Sequence, residues 1–136
     1  MTSELILLID RLESEHVDVL QALDALCEAV EGHDGVALQG ALAAGVEVLG
    51  SALTVHSVTE DEDLFPQIAP MIGEGMVRVF VEEHVRIRAL RDQAYERMGQ
   101  GVADFDACAE LCELLRSHME REDQVLFPAA RGVLAD

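Results

Sequence analysis

Two stretches of the chain repeat one pattern, HSVTEDEDLFP at residues 56–66 and HMEREDQVLFP at residues 118–128. Both contain a His, a Glu four residues later, an Asp directly after that Glu, and a closing Leu-Phe-Pro. A shorter repeat, Glu-His-Val, precedes each copy at residues 15–17 and 83–85. The chain is therefore predicted to consist of two similar halves, each with one His, a long spacer and a His-x3-Glu motif.

The His-x3-Glu spacing predicts two metal ligands on one helix face. Residues four apart lie on the same side of a helix, about 6 Å apart along its axis. A single buried His is more often a hydrogen-bonded core residue, but a buried Glu without a cation or a donor is costly. Four His at repeated spacing, two of them with a Glu at the next turn, instead predict a buried, two-fold pseudo-symmetric metal site. Its candidate ligands are His16, His56, Glu60, His84, His118 and Glu122.

These residue types favour two adjacent metal ions. A carboxylate can bridge two cations and offset their charge, and neutral imidazole suits iron, zinc, copper or nickel. Two Glu bridges and four His leave each ion with fewer than six protein ligands. Water, oxide or a diatomic ligand could complete the coordination. The residue types alone do not select iron over zinc or manganese.

Further acidic residues surround the two motifs, and most are expected to be solvated. Among them are Asp61, Glu62, Asp63, Glu120 and Asp123. One of them could hold a ligand His through its second ring nitrogen. The Leu-Phe-Pro sequences are expected to anchor a helix end to the core before Pro stops the helix.

Chain breakers divide the sequence into four helical segments. The segments are residues 4–31, about 36–65, about 74–98 and about 104–127. Asp104 is a candidate N-cap, and Pro66 and Pro128 are expected to end helices, the second leaving a short tail that could form one more turn of helix. No stretch alternates with the two-residue period of a strand. Short connections between long helices predict an all-α fold, an antiparallel up-down-up-down four-helix bundle.

Composition and charge exclude several classes of protein. The 136 residues suffice for one domain, 1–136, with a single core. Nine basic and 27 acidic residues give a formal charge of −18, which repels nucleic acid and anionic lipid. The apolar run at residues 5–9 is too short for a membrane span and lacks the basic leader of a signal peptide. Three cysteines, an odd number, fit a reducing compartment. We therefore expect a cytoplasmic protein with no nucleic-acid or membrane partner.

The motifs together resemble the hemerythrin-like proteins, the family of the hemerythrin HHE cation-binding domain. The resemblance covers nearly the whole chain through His16, His56-x3-Glu60, Glu83-His84, His118-x3-Glu122 and the two Leu-Phe-Pro endings. It implies the family's four-helix bundle and a non-haem di-iron centre bridged by two carboxylates and an oxo or hydroxo group. By matching position, the resemblance places His16 and His56 on one iron and His84 and His118 on the other. It assigns the bridging role to Glu60 and Glu122.

One position departs from the family pattern. Oxygen-carrying members have a second His four residues after the one on the third helix, where this chain has Arg88. A guanidinium stays protonated and is not a ligand. Water is the expected substitute, because Tyr95 would lie about 16 Å from His84 along a straight helix. Arg88 could pair with a carboxylate, meet an anionic ligand such as peroxide, or pack its stem while its head reaches solvent.

The function that the resemblance implies is binding of, or reaction with, O2, peroxide or NO. The missing His shifts the expectation from a carrier toward redox chemistry, such as the decomposition of peroxide. Two alternatives stay open. One is reversible O2 or NO binding, storage or sensing, and the other is iron sensing or iron storage.

Overall fold

The computed structural model describes residues 2–135, which are helical apart from short connections. The α-helices are α1 (Thr2–Glu31), α2 (Gly35–Ala44), α3 (Leu53–Thr59), α4 (Phe65–Ile72), α5 (Glu74–Gly99), α6 (Phe105–Arg121) and α7 (Phe127–Leu134). Three π-helical turns, Val48–Ala52, Glu60–Leu64 and Glu122–Leu126, join neighbouring α-helices or precede them. No strand occurs in the described residues, and the prediction of an all-α fold is confirmed.

The helix predicted over residues 36–65 is broken in two. α2 ends at Ala44, and the helical run that starts at Val48 continues to Ile72 at an angle of 67° to α2. Gly50, inside the first π turn, has φ −89° and ψ −105°, which lies outside the helical range. No single helix in residues 2–135 is long and apolar enough to cross a membrane; only this bent pair, taken together, meets the criteria of length and composition.

Arg91 on α5 stabilises the bend. Its buried guanidinium donates from Nη1 to the carbonyl oxygens of Leu49 and Gly50, at 3.2 and 3.0 Å. The same nitrogen lies 2.6 Å from Oγ1 of Thr54. Backbone carbonyls that leave the regular helical pattern need another donor when they are buried. Arg91 therefore fixes the position at which α3 begins.

The prediction that Pro66 and Pro128 end helices is wrong. Both prolines lie in the first turn of an α-helix that follows a π turn, and these helices continue to Ile72 and Leu134. Proline is tolerated in a first turn because its missing N–H is not needed there. The predicted segments leave residues 66–73 as a connection, but only Gly73, with φ +118°, separates α4 from α5. The Leu-Phe pairs before the prolines are buried, as predicted.

Buried apolar side chains form two clusters, with a polar layer between them. The first contains the start of α1, α4, the start of α5 and α7; the second contains the end of α1, α2, the end of α5 and most of α6. On α5, Phe80 belongs to the first cluster and Ile87 to the second, and the buried His84 lies between them. The three remaining motif His occupy the same level, so each long helix contributes to one layer.

The three cysteines belong to the second cluster and are free thiols. They are Cys27, Cys108 and Cys112. Burial raises the pKa of Cys108 to about 11, so this thiol stays protonated at neutral pH. The thiols therefore pack as small apolar side chains.

We expect the substitution Arg91→Met to destabilise the fold. It keeps the apolar stem but removes the charged donor to the carbonyl of Leu49 and to that of Gly50, which also accepts from the backbone N–H of Leu53. The expected loss in the free energy of unfolding is about 1 to 3 kcal/mol. The control is Arg78→Met, at an exposed position of the same helix, for which the loss should stay below about 0.5 kcal/mol. Urea denaturation measures both. Equal losses in the two variants would contradict the role assigned to Arg91.

Candidate metal centre

The six residues predicted as ligands lie together in the polar layer. Two groups have ligand atoms within 4.8 Å of one another, His16, His56, Glu60 and Glu122 in one, and Glu60, His84, His118 and Glu122 in the other. All six side chains are buried, and both Glu are 0% exposed. The two groups share the two Glu, and each has its own pair of His. This grouping agrees with the one that the resemblance implies, and the role of these residues as ligands stays a prediction.

Each of the four imidazoles is held from outside by a carboxylate on its Nδ1. The pairs are His16 with Asp123 at 2.8 Å, His56 with Glu15 at 2.8 Å, His84 with Asp61 at 2.7 Å, and His118 with Glu83 at 2.8 Å. An ionised carboxylate can only accept a hydrogen bond, so Nδ1 must carry the hydrogen. In the neutral ring, Nε2 then has a free lone pair. The four lone pairs point to the inner side, where Nε2 of His16 and Nε2 of His56 lie 3.2 Å apart.

When the rings are neutral and both Glu are ionised, no hydrogen lies between the inner nitrogens and the carboxylate oxygens that they face. Nε2 of His84 lies 3.0 Å from Oε1 of Glu60, and Nε2 of His16 lies 3.1 Å from Oε1 of Glu122. Among the described residues, both oxygens of each of these Glu are buried without a hydrogen-bond partner. Unpaired lone pairs in a buried site are unfavourable unless a cation lies among them. The donor set therefore fits positively charged metal ions.

The pKa values show where protons bind when no metal is bound. Burial, followed by the charge of Glu122, raises the pKa of Glu60 well above its usual range. Burial also acts to raise the pKa of Glu122, but the hydrogen bond from Glu60 and the charge of His118 lower it well below that range. Burial lowers the pKa of His16, but its bonds with Asp123 and Glu122 outweigh burial and raise it to about 9. A metal ion would have to displace these protons.

The two π turns explain how a Glu and the Asp after it serve different His. Glu60 and Glu122 each begin a π turn. Each Glu faces inward, and the Asp that follows bonds a His on another helix, α5 for Asp61 and α1 for Asp123. π turns are rare and often occur at functional sites. The sequence analysis missed the turns, although the repeated Glu-Asp was visible, and it allowed for one such Asp without choosing it.

Phenylalanine rings cover the centre on the side of the first apolar cluster. Phe127 stacks on His16 and Phe65 on His84, with ring centroids 5.8 and 5.9 Å apart. These two rings belong to the repeated Leu-Phe-Pro sequences. The distance from His to Leu-Phe-Pro is the same in both copies of the repeat. This places a Phe ring against one imidazole in each half, in addition to its place at the helix end.

Three further residues do not join the six. Nη1 of Arg88 donates to Oγ of Ser57 at 3.0 Å and contacts no carboxylate within residues 2–135. The hydroxyl of Tyr95 donates to the carbonyl oxygen of Leu42 at 2.7 Å, which holds it against α2. His33, the fifth His, is exposed and stacks on the ring of Phe105 at the start of α6. No described residue therefore replaces the imidazole that is missing at Arg88.

Comparison with known proteins supports a cation-binding domain in the second half of the chain. The family model of the hemerythrin HHE cation binding domain matches residues 75–136. A DNA nickase of Nostoc sp. (strain PCC 7120 / SAG 25.82 / UTEX 2576) is 27% identical over 84 residues, which are 61% of this chain and 24% of that protein. The chain thus spans about a quarter of the length of this relative. No solved structure matches the chain.

The matched region contains the second half of the site. His84, His118 and Glu122 lie within it, whereas His16, His56 and Glu60 lie outside it. The internal repeat nevertheless places the first-half residues in equivalent positions around the same layer. The match with the hemerythrin HHE cation binding domain thus confirms, over residues 75–136, the resemblance that the motifs predict.

Proposed function

We propose that the six residues hold two iron ions and that the protein binds or reacts with a small oxygen species. The observation that supports this most strongly is the opposition of imidazole lone pairs and buried carboxylates with no hydrogen to join them. Only cations, protons or metal ions, make such an arrangement favourable in a buried layer. Two overlapping ligand groups that share two Glu suit a pair of ions bridged by carboxylates.

The residues have separate roles in this proposal. One ion is held by His16 and His56, the other by His84 and His118, and Glu60 and Glu122 bridge them. The carboxylates on Nδ1 fix the tautomer and the orientation of each ring and make Nε2 a stronger donor. Iron, when bound, supplies one-electron redox chemistry and coordination positions that a small ligand can occupy.

The choice of iron rests on the resemblance, because the ligand types alone also suit zinc and manganese. Four imidazoles and two carboxylates leave both ions short of six protein ligands. The absence of an imidazole at Arg88 leaves a further position for water or a ligand on the ion held by His84 and His118. This open position favours reaction with peroxide over protected, reversible binding of O2.

The remaining predictions complete the proposal. We propose that the four long helical runs, residues 2–31, 48–72, 74–99 and 105–134, form an antiparallel up-down-up-down bundle, with α2 as an addition.

We place the protein in the cytoplasm because its three cysteines are free thiols. The charge of −18 supports no nucleic-acid partner. The activity in the name of the similar DNA nickase is that of a protein of which this chain matches only about a quarter.

After expression with iron, elemental analysis should find two iron ions per chain. Replacing Glu60 or Glu122 with Ala should lower the iron content, because each substitution removes a bridge and leaves the cations less compensated. The control is Glu62→Ala, since this exposed side chain lies two residues from Glu60. One ion per chain, or equal iron loss in Glu60→Ala and Glu62→Ala, would contradict the proposal.

The carboxylates on Nδ1 should matter for affinity although they do not face the ions. We expect Asp61→Ala to weaken binding of Co²⁺, measured by optical titration, by about 10- to 100-fold, because His84 loses its orienting partner. Asp63→Ala, at an exposed position in the same turn, is the matched control and should bind as the wild type does. If both variants bind Co²⁺ equally well, Asp61 does not position His84.

Peroxide turnover distinguishes the reactive centre from a storage protein. The iron-loaded protein should consume peroxide repeatedly, as followed by oxygen release or peroxide absorbance, and Glu60→Ala should not. Fast, reversible O2 uptake by the reduced protein without peroxide turnover would instead favour O2 storage or sensing. Iron that is released again when an external chelator is added, without either reaction, would favour iron storage.

A further inference from the structure

Two surface grooves lie beside the candidate metal centre, one in each half of the chain. The first groove is formed by α1 and residues 47–56, and the second by α5 and α6. Their lining residues occupy equivalent positions of the internal repeat; Glu15 corresponds to Glu83, for example, and Val48 to Glu110. Their volumes are also similar, about 430 and 470 Å³. The two grooves therefore differ in the residues that line them and not in their size.

Arg121 closes the second groove over its imidazole. Nη2 of Arg121 donates to both oxygens of Glu83, at 2.8 and 2.7 Å, and Nδ1 of His118 bonds the same carboxylate at 2.8 Å. The guanidinium also lies over the ring of Phe80, 5.4 Å from its centroid. Charge-assisted bonds of this kind hold a carboxylate firmly. The described residues that line the second groove accordingly include Glu83 and Arg121 but not His118.

The first groove reaches an imidazole, because the equivalent contacts are missing. Thr59 stands where the second half has its arginine, and His56 itself lines the groove. Glu15 bonds Nδ1 of His56 at 2.8 Å, and its other oxygen lies 3.8 Å from Nε of the exposed Arg11. Such exposed ion pairs contribute little. The Glu15 side chain is 42% exposed, against 19% for Glu83, so the pair of Glu15 and His56 is the one that can move at lower cost.

The two grooves also differ in charge. The first contains the carboxylates of Glu15, Asp18 and Glu47, and none of the described residues that line it is Lys or Arg. The second also contains three carboxylates, but Arg86 and Arg121 lie among them, and Nε of Arg86 bonds a groove carboxylate at 2.9 Å. Uncompensated negative charge in a groove raises the local concentration of cations. The first groove is therefore the one that attracts a metal ion.

We propose that metal ions enter and leave the centre through the first groove, by displacement of Glu15 and His56, while Arg121 keeps the second groove closed. The carboxylates of the first groove attract the hydrated cation. Glu15 then moves toward solvent, and His56 turns and opens the polar layer. Arg121 is a positioning residue in this scheme, since it fixes His118 through Glu83. The inference rests on the proposed metal centre and adds the route to it.

The substitution Thr59→Arg should close the first groove by giving Glu15 the partner that Glu83 has. We expect it to slow the uptake of Co²⁺ by the metal-free protein about tenfold, because one more charge-assisted bond must break before His56 turns. Stopped-flow absorbance measures uptake, and competition with a chelator measures release. Release should slow by a similar factor, so that the Kd for Co²⁺ stays within about threefold of the wild-type value. The matched control is Val58→Arg, which adds the same charge at a neighbouring exposed position outside the groove and should load as the wild type does.

A second pair of variants tests the attraction of cations without altering the pair that moves. Glu47→Gln should slow Co²⁺ uptake about twofold to threefold at low ionic strength, and the difference should vanish at about 0.5 M salt. Glu113→Gln removes the same charge from the second groove and should leave uptake unchanged. Because Glu47 is exposed and its side chain makes no capping bond, this pair decides the question if Thr59→Arg does not fold.

Metal binding by the wild-type protein separates this inference from the proposed function. A wild-type protein that binds neither iron nor Co²⁺ overturns both. A protein that binds two ions per chain, but in which Thr59→Arg and Val58→Arg load equally fast, overturns the inference alone. The same holds if Thr59→Arg speeds release and raises the Kd, because a damaged site and not a closed route produces that result. Equal slowing by Glu47→Gln and Glu113→Gln also contradicts it, since uptake would then follow the net charge of the protein.

Discussion

Four imidazole nitrogens and four carboxylate oxygens face one another in a buried layer, and the rest of the structure depends on this arrangement. A layer of lone pairs needs cations, whether protons or metal ions, to be stable. Its geometry is maintained from outside by the four carboxylates on Nδ1 and from either end by the two apolar clusters. The polar layer costs stability, and the apolar cores above and below it offset that cost.

The two halves of the chain complete each other. Asp123 from the second half holds His16 of the first, and Asp61 from the first half holds His84 of the second. Neither half-site is therefore complete without the other. The symmetry is not perfect, since Arg121 donates to both oxygens of Glu83, whereas the equivalent position of the first half is Thr59. The two metal positions thus have similar ligands but different surroundings.

Much of the site could be predicted from the sequence, because a metal ligand set is a matter of residue type and helical spacing. The six residues were selected from the repeat alone, and the structure brings them together. The π turns were not predictable, since they are rare and no local residue pattern distinguishes them from an α-helical turn. The break after Ala44 was missed for a related reason: a glycine-rich helix is bent by a distant partner, Arg91, which no local pattern reveals. Pro66 and Pro128 misled the prediction because the preceding π turn makes proline acceptable there.

Anomalous diffraction at the iron absorption edge, from crystals of the iron-loaded protein, tests the central claim most directly. The account predicts two peaks within the polar layer, one between Nε2 of His16 and His56 and one between Nε2 of His84 and His118. Both peaks should lie within bonding distance of Glu60 and Glu122. A single peak, or peaks only at exposed acidic residues with the layer empty, would contradict it.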